Sequence, residues 1–185
     1  NGIIGWEATE INRVKLEAYG LTRYYNLIVP GSKDGLEAAL ARAQQNHKPV
    51  FGYYWNPAPL MGAYDWYILE EPPYTGECWE KIIAAIEDKS LRPLDQACAY
   101  ESLPIDKVTH KDLLKNAPDV VEMLEKMTVG LEPLNDTLGL DNKNEIQDWE
   151  KAAIYYLRNY EGRWKTWVTP EAYQRIKKAL EEVPS

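Results

Sequence analysis

The spacing of apolar residues predicts two helices in the first 45 positions. After Trp6, apolar residues recur every three or four positions, as they do along one face of an α-helix: Ile11, Val14, Ala18 and Leu21. Gly20 marks the end of this helix, because glycine commonly terminates helices. Ser32 is a typical N-cap for the second helix, which repeats the same spacing at Leu36, Leu40 and Ala43.

Three short runs rich in β-forming residues flank and follow the second helix. They cover residues 24–29, 49–55 and 66–69, and a proline follows each run within a few positions. Helices that alternate with such runs are typical of an α/β sheet with crossover connections. The first part of the chain is therefore predicted to contain three strands, of which the first is buried.

From about residue 76 the pattern is almost wholly helical. Apolar residues at helical spacing fall within four stretches: 82–86, 120–127, 146–156 and 173–180. Thr169 followed by Pro170 is typical of the start of a helix. The stretch 91–104 is predicted to be a loop, and a short strand is expected at 105–108. An α/β part is thus followed by a helical part that has no sheet of its own.

Composition and charge narrow the classes of function. Of the 185 residues, 45% are hydrophobic and 27% are charged, which is the balance of a folded globular protein. The net charge of −8 argues against nucleic-acid binding, which depends on basic patches. No apolar run approaches the ~20 residues that cross a bilayer. The chain has 13 Tyr and 7 Trp against one Phe, and Tyr and Trp suit binding surfaces as well as cores.

No group of residues has the spacing of a catalytic site. The sequence has no phosphate-binding glycine loop, no nucleophile elbow and no Ser/His/Asp arrangement. The adjacent carboxylates Glu70-Glu71 and Glu181-Glu182 point to different sides of a strand or helix, so neither pair is suited to acid–base catalysis. We therefore predict that the protein is not an enzyme.

The two cysteines, Cys78 and Cys98, allow two interpretations. They lie 20 residues apart and, with only two histidines in the chain, they do not form a convincing zinc site. In an exported protein such a pair forms a disulfide, whereas in the cytosol it stays reduced. The cysteines and histidines therefore predict no metal site.

Two tryptophans occupy positions where α/β proteins bind ligands. The segment Gly5 to Ala8 contains Trp6 and begins a helix, where free backbone N–H groups attract anions. Trp55 lies at the carboxyl end of the second predicted strand, the edge at which ligand crevices form. Two aromatic faces near an anion site suit a ligand with a quaternary ammonium at one end and a carboxylate at the other. Both tryptophans fit a hydrophobic core equally well.

At these positions the chain resembles the substrate-binding proteins of bacterial ABC transporters for glycine betaine, proline betaine and choline. The matching pieces keep the order they have in that family: Gly5-Trp6, Glu17 to Leu21, Lys48 to Pro57, Tyr64-Asp65, Leu69 to Tyr74, Thr75 to Trp79, Cys98 to Tyr100, Ala117 to Val121 and Trp164 to Val168. The similarity runs from residue 2 to about residue 180. The order and spacing of the pieces carry the resemblance more than any one of them.

The resemblance implies a fold of the α/β class: one lobe of a two-lobed, type II periplasmic-binding-protein-like clamp with a helical C-terminal segment. Residues 1–103 would form the α/β ligand-binding lobe. Residues 104–185 would form a mainly helical segment that returns to the other lobe, which begins upstream of the matching region in that family. Because that lobe supplies part of the usual aromatic cage, these 185 residues alone are expected to bind ligand in the millimolar range or not detectably.

The resemblance also implies which residues bind the ligand. Trp6 and Trp55 would form walls of a cage that holds a quaternary ammonium by cation–π contacts. The backbone N–H groups of Glu7 and Ala8 would hold the carboxylate of the ligand. The implied function is the capture of glycine betaine or a related compatible solute for import, with no cofactor.

Location and partners follow from the same resemblance. The protein would be extracytoplasmic, in the periplasm or on the outer face of the bacterial membrane. Its partners would be a small zwitterionic or cationic ligand and the permease and ATPase subunits of the transporter. It would meet a membrane only through that transporter or through an anchor outside this chain. Because such proteins are exported, Cys78 and Cys98 are expected to form a disulfide.

Two other classes of function compete with this hypothesis. A carbohydrate-binding module also stacks its ligand on Trp and Tyr, but such modules usually have a β-sandwich, which the helical second half does not favour. A glycosidase needs two carboxylates about 5–10 Å apart across a cleft, and the sequence shows no such pair.

Overall fold

The computed structural model describes residues 1–142 and 149–183. Helices form most of the regular structure in these two ranges. They are α1 (Glu7–Ala18), α2 (Lys33–Gln45), α3 (Pro59–Ala63), α4 (Gly76–Glu87), α5 (Leu113–Asn116), α6 (Pro118–Lys126), α7 (Leu131–Asn142), α8 (Trp149–Asn159), α9 (Glu161–Trp164) and α10 (Pro170–Glu182). Short 3₁₀ turns occur at Leu21–Arg23 and Lys89–Leu91.

The chain forms two compact units. The first unit consists of Asn1–Trp55 and Trp66–Leu103, and the second consists of Asn56–Asp65 and Pro104–Ser185. The ten residues Asn56–Asp65 lie along the sequence between the two segments of the first unit, but they belong to the second unit. The division of function between residues 1–103 and 104–185 stays a prediction.

The predicted helices are present, and their caps follow from the sequence. The side chain of Ser32 accepts a hydrogen bond from the N–H of Gly35 at 3.0 Å, and that of Thr169 accepts one from the N–H of Ala172 at 3.2 Å. Such caps satisfy donors that the first turn of a helix leaves unpaired. Gly20 ends the first helical region with a positive φ of 66°, which favours glycine. These predictions are confirmed, whereas Ile146, expected on the face of α8, lies outside the described residues.

The predicted strands are wrong. None of the runs 24–29, 49–55, 66–69 and 105–108 forms a strand in the described part of the chain. Several of their β-forming side chains face solvent: Ile28 is 75% exposed and Tyr67 is 88% exposed. A run of such residues becomes a strand only when another segment supplies a hydrogen-bonded ladder, and the described residues supply none. The α/β prediction is therefore confirmed only in its helices.

The core of the first unit lies between α1 and α4. Ile11 and Val14 of α1 pack against Ile82 of α4, and all three are at most 3% exposed. A disulfide between Cys78 and Cys98 closes this core, with the two Cα atoms 6.4 Å apart. That separation lies within the usual range for a disulfide, so the bridge forms without displacing the helices.

The second unit depends on a close contact between α3 and α7. A Cβ atom added to Gly62 would lie 1.7 Å from the carbonyl oxygen of Asn135, and one added to Gly139 would lie 2.4 Å from the carbonyl carbon of Gly62. The backbones of α3 and α7 are therefore in direct contact at Gly62 and Gly139, where a side chain would clash. The amide of Asn135 reinforces the contact by accepting a hydrogen bond from the N–H of Ala58 at 3.1 Å.

Candidate functional site

The N-terminus of α1 leaves two backbone donors without partners. Trp6 is its N-cap residue and has an extended backbone, with φ −83° and ψ 133°. The carbonyl of Trp6 accepts a hydrogen bond from the N–H of Thr9 at 3.0 Å. Among the described residues, the N–H groups of Glu7 and Ala8 have no acceptor, because the first N–H groups of a helix have no carbonyl one turn earlier in the same helix. These N–H groups also lie at the positive end of the helix dipole.

The two tryptophans predicted from the sequence lie in contact. The ring centroids of Trp6 and Trp55 are 5.4 Å apart and the ring planes meet at 75°, an edge-to-face arrangement. Both side chains are partly exposed, so neither is an ordinary core residue. The structure thus brings together residues that are 49 positions apart and places both beside the free donors of Glu7 and Ala8.

Trp55 is held in place by its neighbour along the chain. The ring of Tyr54 stacks on that of Trp55, with centroids 4.1 Å apart and planes at 19°. The hydroxyl of Tyr54 donates a short hydrogen bond to the carboxylate of Glu37 in α2. Burial opposes ionisation of Glu37, but hydrogen bonds from Tyr54 and Lys33 outweigh it and hold the pKa of this carboxyl below its usual value.

An open cleft of about 490 Å³ joins these groups. The N-terminus of α1, the start of α2 and the segment before residue 56 line it with Gly5, Trp6, Glu7, Ala8, Lys33, Tyr53 and Trp55. All four ligand-binding residues predicted from the sequence therefore lie on one surface. Its volume lies within the range of small-molecule sites.

Two residues of the cleft were not found by sequence reasoning. Tyr53 precedes Trp55 by two positions, and side chains two apart in an extended segment share a side, so the signal was present in the sequence. Lys33 is the first residue of α2, and its ammonium lies 5.9 Å from the centroid of the Trp55 ring. No local pattern indicates that approach, because α2 and Trp55 are separated along the chain.

A buried ion pair supports the cleft behind Tyr53. The ring of Tyr53 lies 5.7 Å from that of Tyr100, and the ammonium of Lys15 lies 4.4 Å from the centroid of Tyr100. Lys15 is only 5% exposed and pairs with the carboxylate of Glu71 at 2.7 Å. Burial and the Glu71 carboxylate raise the pKa of Tyr19, so its hydroxyl stays protonated and donates to Glu71 at 2.8 Å. Because Lys15 is buried and does not line the cleft, this cluster supports the wall rather than binding a ligand.

The cleft offers two kinds of contact to a ligand. Its aromatic faces attract a cationic group, and its backbone donors and Lys33 attract an anionic one. Within residues 1–142 and 149–183, no cluster of three or more His, Cys, Asp or Glu has the geometry of a metal site. In the same part of the chain, no helix is long and apolar enough to cross a membrane.

A comparison with protein families identifies the family of the chain. The model of the substrate binding domain of ABC-type glycine betaine transport systems matches residues 2–159, which is most of the chain. The match confirms the resemblance seen in the sequence. No curated protein and no solved structure matches the chain.

Proposed function

Because the chain belongs to the family of substrate binding domains of ABC-type glycine betaine transport systems, we propose that it binds a quaternary ammonium solute in the cleft at the N-terminus of α1. Trp6 and Trp55 contact the ammonium group, and the N–H groups of Glu7 and Ala8 bind a carboxylate. The protein captures the solute for import and performs no chemistry on it. Domains of this family have a type II periplasmic-binding-protein-like fold.

One observation carries the proposal: the edge-to-face contact of Trp6 and Trp55 lies next to two unpaired backbone donors. A quaternary ammonium has no N–H to donate, so a protein recognises it through aromatic faces rather than through hydrogen-bond acceptors. A carboxylate on the same small molecule needs donors within a few ångströms of those faces. The cleft supplies both, and the carboxylate would satisfy donors that the fold leaves free.

The openness of the cleft limits the affinity. A partly exposed aromatic face contributes about 0.5–1 kcal/mol to cation binding, and a hydrogen bond to a charged group contributes about 1.5–3 kcal/mol. Binding also costs free energy, because the ligand loses translational and rotational freedom and polar groups lose their bound water. These costs reduce the net binding free energy. A dissociation constant of about 1 mM requires about 4 kcal/mol. We therefore expect glycine betaine to bind these 185 residues in the millimolar range.

An NMR titration tests the proposal. The chain has seven tryptophans, each with one indole N–H signal, and the signals of Trp6 and Trp55 are assigned by their loss in Trp6→Phe and Trp55→Phe. Glycine betaine added to about 100 mM should move these two signals along a saturating curve with a millimolar dissociation constant. The signal of Trp149, which is 67% exposed and lies in the second unit, should not move.

Alanine variants separate binding from a general effect on the chain. Trp6→Ala and Trp55→Ala should each weaken glycine betaine binding about two- to five-fold, as expected for a partly exposed cation–π contact. Trp149→Ala is the matched control and should leave binding unchanged. Absence of any shift with glycine betaine would contradict the proposal. Shifts of the same signals with a soluble oligosaccharide instead would favour a carbohydrate-binding module.

Location and partners are part of the proposal. A binding component that delivers solute to an importer works outside the cytoplasm and docks on the permease of the transporter, whose ATPase drives the transport. The disulfide between Cys78 and Cys98 supports this location, because disulfides persist in oxidising compartments.

A further inference from the structure

Lys33 places a positive charge in the cleft that the tryptophans line. Its side chain is half exposed, and its ammonium lies 5.9 Å from the centroid of the Trp55 ring. A ligand ammonium that contacted Trp55 would therefore lie near a second cation. Like charges that share one small cleft repel each other even when water screens them.

The position of the Lys33 ammonium is set by the residues that hold Trp55. The ammonium pairs with the carboxylate of Glu37 at 2.9 Å, one helical turn further along α2. Glu37 also accepts the hydrogen bond from Tyr54, whose ring stacks on Trp55. Lys33 and Trp55 thus share one support, because Glu37 pairs with Lys33 and holds Tyr54, whose ring stacks on Trp55.

The Lys33 ammonium beside the rings distinguishes two kinds of quaternary ammonium ligand. A cation without a carboxylate, such as choline, meets only repulsion from Lys33. In a betaine the carboxylate lies a few ångströms from the ammonium, so its attraction to Lys33 offsets that repulsion. Glu7 is an acidic residue that lines the same cleft. The formal charges of Lys33 and Glu7 cancel, which suits a ligand that carries one positive and one negative charge.

We infer that Lys33 is a specificity-determining residue, which binds the carboxylate of a betaine and disfavours cations that lack one. The inference rests on the proposed function, since it concerns the same cleft, and it names the substrate class: zwitterionic rather than purely cationic quaternary ammonium compounds. The removal of the Lys33 charge should therefore weaken the binding of a betaine and strengthen the binding of a cation that lacks a carboxylate.

Titrations of glycine betaine and choline against the wild-type chain and Lys33→Gln test this inference, with the indole signals of Trp6 and Trp55 as readout. In Lys33→Gln, glycine betaine should bind about ten-fold more weakly and choline about three-fold more tightly. Lys33→Arg keeps the charge and should keep the preference for glycine betaine. Added salt should weaken glycine betaine binding in the wild-type chain more than in Lys33→Gln, because salt screens the exposed charge.

Lys81→Gln is the matched control. Lys81 also pairs with a glutamate one helical turn away, at 2.6 Å from Glu77, and it is similarly exposed, but it does not line the cleft. This variant should leave the ratio of the two affinities unchanged. If Lys33→Gln binds both ligands with the wild-type ratio, the inference is wrong and the proposed function stands. If the wild-type chain binds neither ligand, the proposed function fails and this inference fails with it.

Discussion

Tryptophan and tyrosine have different roles in the two units of the chain. In the second unit Trp164 is 1% exposed and its indole N–H donates to the carbonyl of Leu157 at 2.8 Å. Tyr160 there donates its hydroxyl to Asp136 at 2.6 Å. In the first unit Trp6 and Trp55 are partly exposed and line an open cleft. The enrichment in these residues therefore has two sources: rings that are buried by packing and rings that line the cleft.

The two units also differ in how their cores are held. The first unit has a core between α1 and α4, closed by the disulfide. The second unit has close backbone contact between α3 and α7 and a large buried ring at Trp164. A covalent bridge stabilises a fold by restricting the unfolded chain, whereas a buried ring stabilises it by removing apolar surface from water. The comparison predicts that reduction of the disulfide destabilises the first unit and that removal of the Trp164 ring destabilises the second.

The largest effect is expected from Trp164→Ala. Removal of this buried ring should lower the free energy of unfolding of the second unit by about 3–5 kcal/mol, because it leaves a cavity and frees the carbonyl of Leu157. Urea denaturation followed by circular dichroism measures the change. Trp149→Ala removes an exposed ring, and it should change the same free energy by less than about 0.5 kcal/mol.

The signals of Trp6 and Trp55 show whether this effect stays in the second unit. They should keep their positions in Trp164→Ala below the denaturation midpoint. A loss of dispersion of both signals in that variant would mean that the two units unfold together, contrary to the comparison.

A smaller effect, in the other unit, is expected from reduction of the disulfide. The bridge spans 20 residues of sequence, and the loss of such a loop constraint costs about 3 kcal/mol in the chain-entropy model. A reducing agent should therefore lower the urea midpoint reported by Trp6 and Trp55 and leave unchanged the midpoint reported by Trp149. The double variant Cys78→Ala/Cys98→Ala should not respond to the reductant. An equal shift of both midpoints would count against separate stabilisation.

The smallest effect concerns the support of Trp55 and depends on pH. The pKa of Glu37 is lower in the folded protein than its ordinary value. Ionised Glu37 therefore stabilises the folded state at pH values above the ordinary pKa. This contribution is lost as the pH falls below about 4. It should amount to less than about 1 kcal/mol, because Glu37 and Lys33 are both partly exposed.

The indole signal of Trp55 is a sensitive probe of that loss. Acidification should move it as the Tyr54–Glu37 hydrogen bond weakens, and Glu37→Gln should abolish this acid transition. Glu77→Gln, which removes the equivalent carboxylate of an exposed pair on α4, should leave it intact. A transition that persists in Glu37→Gln would show that another group holds the ring.

The residues of the cleft illustrate which parts of a site can be predicted from sequence. Trp6, Glu7 and Ala8 were found because a helix start is a local pattern with known free donors. The position of Trp55 was predicted from the end of a strand at 49–55, but this run forms no strand in the described chain. Trp55 lines the cleft although the strand prediction behind it was wrong. Lys33 was missed because its approach to Trp55 depends on how α2 packs, which no local pattern encodes.

The sequence by itself determined the family, the helices and their caps. Helical hydrogen bonds join residues four apart, so apolar spacing and cap residues such as Ser32 and Thr169 suffice to place them. The tertiary structure alone decided which aromatic rings are buried and which line the cleft, because burial depends on neighbours that are distant along the chain. It also decided that the runs 24–29, 49–55 and 66–69 form no strand in the described part of the chain, since a strand requires a ladder partner that its own residues cannot supply.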